Sequence, residues 1–88
     1  MLNTNVIPAS VKTLNMGAFM FRTLADKFNG LLIIENPEIN INESALMTLR
    51  GVKYIMVPPT VDTSVAPWNK SLGLENEVIY ITDPSQIV

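Results

Sequence analysis

Four consecutive aliphatic residues, Leu31-Leu32-Ile33-Ile34, run into Glu35 between two turn signals, Asn29-Gly30 and Asn36-Pro37. An apolar run this short, bounded this way, reads as a β-strand buried on both faces. Such a strand needs neighbours on both sides. The segments before and after it are the ones available to supply them.

Upstream, Val11, Leu14, Ala18, Phe21, Ala25 and Phe28 recur at steps of three and four, and Phe19, Met20 and Leu24 widen the stripe. That spacing predicts one long apolar helix. Pro8 or Ser10 would start it, or Asn15 if Gly17 weakens the first turns, and Asn29-Gly30 would end it. Downstream, Ile39 and Ile41 alternate with Glu38, Asn40 and Asn42, the pattern of a half-buried edge segment. Asn42 then caps a predicted short helix from Glu43 to Leu49, which Gly51 stops. Val52–Val57 and Glu77–Thr82 read as two more strands. The 16 residues between the first strand and Val52 allow a parallel crossover or a long hairpin. The expected fold is therefore α+β: one long apolar helix and one short helix on a small mixed β-sheet of about three to four strands. All of it fits one small domain over residues 1–88.

Composition limits the chemistry. The chain has no cysteine and no histidine, which removes disulfides, thiolate ligands and the usual general base near neutral pH. Its four glycines are isolated, so no phosphate-binding loop exists, and its serines have no histidine to activate them. Glu35, Glu38, Glu75 and Glu77 sit at turns or strand ends, and Asp62 and Asp83 lie in turn sequences beside Ser, Thr or Pro. No enzyme, metal site or cofactor is expected. With net charge −2 and six scattered basic residues there is no stripe to follow a phosphate backbone, so nucleic acid is not an expected partner. No apolar run approaches the ~18 residues of a membrane span.

Charged residues make up 16% of the chain and apolar residues 48%. An ordinary soluble domain carries about 25% charge. Two accounts fit: part of the surface lies against other chains, or the domain is small, sticky and monomeric. Residues 60–76 form the longest stretch without periodicity and carry the single Trp68. That tryptophan either folds back on its own core or anchors an interface. On the interface reading, the contact residues are Val57, Pro58, Pro59, Trp68, Leu72, Ile87 and Val88, and the partner is protein, in a homo-oligomer or larger assembly.

Three segments in order, MGAFMFRTLADKFNG (16–30), ALMTLRGVKYIMVPP (45–59) and EVIYITDPSQIV (77–88), resemble the C-terminal, axial-domain part of the HK97-type major capsid proteins of tailed bacteriophages. Leu49, Gly51, Val52 and Pro58 match the middle signature, and Asp83 stands near the acidic end. Whole proteins of that family are several times longer, with an N-terminal arm, an extended loop and a spine helix that this sequence does not show. The resemblance implies a fragment or minimal derivative with a structural, assembly function, no catalytic residues, and a place in the virion or host cytoplasm. A small phage- or bacterium-encoded protein that binds and modulates one host protein is the alternative expectation.

Overall fold

The computed structural model describes residues 3–87; Met1, Leu2 and Val88 lie outside the described residues. Leu31–Ile34 forms the predicted strand, β3, and it has a neighbour on each side. The others are β1 (Val6–Ile7), β2 (Thr13–Leu14), β4 (Asn40–Ile41), β5 (Tyr54–Met56) and β6 (Ile79–Ile81). Four of them form a sheet in the order β1-β3-β5-β6, and β2 pairs with β4 in a second sheet. Every pairing is parallel.

The register explains the architecture. Val6 pairs with Ile33, Thr13 with Asn40, and Thr23 bridges Arg50, so three separate contacts share one offset of 27 residues. The chain therefore winds in stacked coils, each laid on the previous one, as in solenoid proteins. The next offsets are 23, from Leu31 to Tyr54, and 25, from Tyr54 to Ile79. The four residues by which the first coil exceeds the second fall between Thr23 and Leu31, where a 3-10 turn, Asp26–Phe28, is inserted.

The long helix expected over residues 11–28 does not form, nor does the short one over 43–49; the described residues contain only 3-10 turns. The α+β expectation with a mixed sheet is corrected to stacked parallel coils. The backbone shows why. Gly17, Phe21 and Asn29 have φ of 70°, 63° and 53°, which interrupts any right-handed helix over that stretch. In the second coil Thr48 does the same at φ 62°. There the turns close by bonds to the third residue back, from Ala45 to Asn42, Met47 to Ser44 and Leu49 to Leu46. The amide of Leu46 donates instead across the stack to the carbonyl of Leu72, at 2.9 Å. A spacing of three and four is also what successive corners of a coil produce. Of the six stripe residues, Leu14 and Ala25 are buried whereas Ala18 and Phe21 are exposed.

Inside the stack, Ile7, Ile34 and Val57 make one row of the main sheet and Leu32, Ile55 and Tyr80 the next. Leu14, Ile39, Ile41, Ala45, Leu46, Leu49, Trp68, Leu72 and Val78 complete the same core cluster. Burial at these positions, at about 1.5–3 kcal/mol per large aliphatic side chain, is the main favourable term. Hydrogen bonds tie coil to coil: Gly17 N–H to the Ser44 carbonyl, Phe21 N–H to Thr48 Oγ1, and the Asn5 and Asn36 amides to the carbonyls of Leu31 and Val11.

Candidate interaction surface

Side chains alternate across a strand, so the residues between the core rows point out of the stack. In the main sheet these are Leu31, Tyr54 and Ile79 in one row, and Val6, Ile33, Met56 and Ile81 in the next. All seven are aliphatic, thioether or aromatic. None belongs to the core cluster. Leu31, Val6, Ile33, Tyr54 and Met56 are half-buried, as expected where flat neighbours shield each other, and Ile79 is 57% exposed. Ile81 is buried. An all-parallel sheet normally has both faces covered by other layers. Here the inner face is covered by the coils, and the outer face presents an apolar strip. Strands are about 4.8 Å apart, so the strip is about 14 Å long from β1 to β6.

Charge borders the strip. Glu35 and Asp83, two positions beyond Ile33 and Ile81, are exposed at one end; Glu77 and Lys53 are exposed at the other. Asp83 caps the turn Pro84–Gln86: its carboxylate accepts from the Ser85 amide at 2.9 Å, and the Ser85 backbone and side chain hold its pKa below the ordinary value. The Gln86 side-chain carbonyl accepts in turn from the amides of Thr82 and Asp83, at 2.6 and 2.9 Å. On the opposite edge, Val6 N–H donates to Thr4 Oγ1 at 3.3 Å, and Pro8, just after β1, has no N–H to offer. Both edges are therefore blunted against strand addition, which leaves the face, rather than the rim, as the place to bind.

The residues singled out from sequence divide. Val57, Trp68 and Leu72 are 3%, 7% and 0% exposed and belong to the core, so they present no surface. Trp68 folds back on its own chain. Its ring meets Tyr80 edge-on at 5.9 Å, and its carbonyl accepts from the Tyr80 hydroxyl at 2.6 Å. Burial pushes that phenol up to about 12. Pro58 and Ile87 are half-buried, Pro59 is exposed, and Val88 lies outside the described residues. Val57 and Pro58 follow directly on β5, so Pro58 lies at the end of the strip two positions past Met56. The outer face itself was missed. Its signal was present in the unbroken apolar runs LLII, YIMV and IYI, which require cover on two sides.

Among the described residues no three acidic, histidine or cysteine side chains are grouped to hold a metal, and no helix is long and apolar enough to cross a membrane. No family model, curated protein or solved structure matches the chain.

Proposed function

We propose that this chain is a protein-binding module whose outer sheet face docks an amphipathic α-helix of another polypeptide. The observation that carries the reading is the apolar strip of Val6, Leu31, Ile33, Tyr54, Met56 and Ile79 on an all-parallel sheet. Its dimensions suit a helix laid across the strands. A helix rises 5.4 Å per turn and is 10–12 Å wide, so about three turns would match the strand spacing and cover both rows. Glu35 and Asp83 at one end favour a partner with basic residues on that flank.

Face-to-face pairing of two copies is the second reading, in line with the low charge content. A four-stranded face of this length offers well under the ~800 Å2 per partner of a standard stable interface. The capsid-type assembly role also needs a protein contact. The likeness that suggested it began with a helix over residues 16–30, which are turns and short bridges here, so the proposal extends only to a binding module.

The test is selection from a displayed library of helices with apolar residues at i, i+3, i+4 and i+7. Binders enriched on the full chain and lost on Met56→Lys support the reading. Failure to enrich, or binders indifferent to Met56→Lys, overturns it. A concentration-dependent dimer that the same substitution dissolves replaces the helix with a second copy.

A further inference from the structure

A second surface lies on another side of the stack, where the corners of three coils meet. Two adjoining recesses of about 430 and 240 Å3 share Phe21 and Arg50. The smaller adds Arg22 and Thr23; the larger adds Thr48, Val52, Leu74, Glu75 and Asn76 among others. The fold brings Arg22 and Arg50 together because their coils are in register there. The Arg50 amide donates to the Arg22 carbonyl at 3.0 Å, and the Leu24 amide to the Arg50 carbonyl at 2.8 Å. These are the only two arginines of the chain, and both side chains are exposed.

Phe21 is the unexpected member. It is 80% exposed, so it contributes little to the core, and it holds φ 63°, a conformation that costs a bulky residue free energy. Met16 and Met20, in the run of turns that leads into Phe21, are 65% and 41% exposed. Arginine, aromatic residues and methionine are the types enriched where proteins bind peptides.

We infer that this corner binds an acidic peptide segment carrying an apolar anchor. The anchor lies on Phe21 and Met20. Carboxylates of the peptide accept from the guanidiniums of Arg22 and Arg50, whose planar fork can donate two parallel N–H bonds to one carboxylate. Glu75, across the larger recess, repels the acidic groups and confines them to the Arg22 end.

The probe is a fluorescein-labelled acidic dodecapeptide with a central Leu-Phe pair, compared with the same peptide bearing lysine for every acid. Fluorescence polarisation on the full chain should show the acidic peptide binding at least about tenfold more tightly and weakening as salt rises. Arg22→Ala, Arg50→Ala and Phe21→Gly should each weaken it about tenfold, with Arg50→Lys falling between. The double variant Arg22→Glu/Arg50→Glu should prefer the lysine peptide, which an unfolded chain could not do. Equal binding of the two peptides, or indifference to the arginine variants, overturns the inference. So does displacement by inorganic phosphate with no loss in Phe21→Gly, which would assign the arginines to a small anion.

Discussion

Phe21 and Thr48 lie 27 residues apart and take the same left-handed backbone conformation, φ 63° and 62°, with the Phe21 amide donating to Thr48 Oγ1 at 2.9 Å. Equivalent corners of successive coils are thus held in the same strained turn and bonded to each other. At Thr48 the hydroxyl is used. The Phe21 ring is 80% exposed and, among the described residues, lines the recess.

Replacing Phe21 by glycine should therefore stabilise the fold. Left-handed geometry costs a non-glycine residue about 1–2 kcal/mol, and added freedom in the unfolded chain takes back about 0.4–1 kcal/mol. A net gain of about 0.5–1 kcal/mol in urea unfolding is expected. A loss of stability would show that the ring packs on its own protein.

Position in the stack should set the cost of a core deletion. Phe19 and Leu46 are equivalent by the 27-residue offset, but Leu46 is fully buried in the middle coil whereas Phe19 is half-buried in the first. Leu46→Ala should cost about 2–5 kcal/mol, and Phe19→Ala clearly less, although phenylalanine loses more atoms. Denaturant midpoints at constant slope would check the order.

Gly73 sits directly against the main chain of the neighbouring coil. A Cβ there would stand 2.9 Å from the Ser44 Cα, at φ 84°. Gly17 also has positive φ, but the nearest atoms to a Cβ there belong to the Met20 side chain, at 3.6 Å. Gly17→Ala should cost about 1 kcal/mol from backbone strain alone. Gly73→Ala should cost about twice that or more, because main chain must move. Equal losses would mean the coils have room to separate.

Strands β3, β5 and β6 were legible in the sequence; β1, β2, which falls inside the expected helix, and the coil were not. Leu31–Ile34, Tyr54–Met56 and Ile79–Ile81 announce themselves as apolar runs between turn signals. Ile39 and Ile41 are buried beside exposed Glu38, Asn40 and Asn42, as their alternation indicates. The stripe from Val11 to Phe28 misled because periodicity reports which residues face one side, not the sign of φ at Phe21 or Asn29. The repeat itself left few identities: Ile7/Ile34, Asn15/Asn42, Ala18/Ala45 and Met20/Met47 at the offset of 27. Neither surface carries a motif, since both arise from residues that only the stacking makes adjacent.

Alkaline pH should weaken the third coil first. The Tyr80 pKa is raised by burial to about 12 from 10.0, so the folded state favours the protonated phenol. Its contribution is complete below pH 10 and is lost as pH rises from there to about 12. The ring is partly solvated, so the full ~2.7 kcal/mol equivalent of that shift is reduced to about 1 kcal/mol. In Tyr80→Phe this pH dependence should vanish, at a constant cost of about 0.5–1.5 kcal/mol for the lost hydrogen bond to Trp68. Unfolding curves between pH 9 and 12 for the two proteins would check it.

The methionine methyl groups offer the most direct view of the sheet face. Met56 lies on it, while Met16 and Met20 are exposed in the turns that lead into Phe21, outside the sheet. With carbon-13-labelled methionine methyls, titration of a helix selected on the wild-type chain should shift and broaden the Met56 signal and leave Met16 and Met20 in place. A bound helix that moves the Met16 and Met20 signals while Met56 stays fixed would contradict the assignment of the outer sheet face as the docking surface.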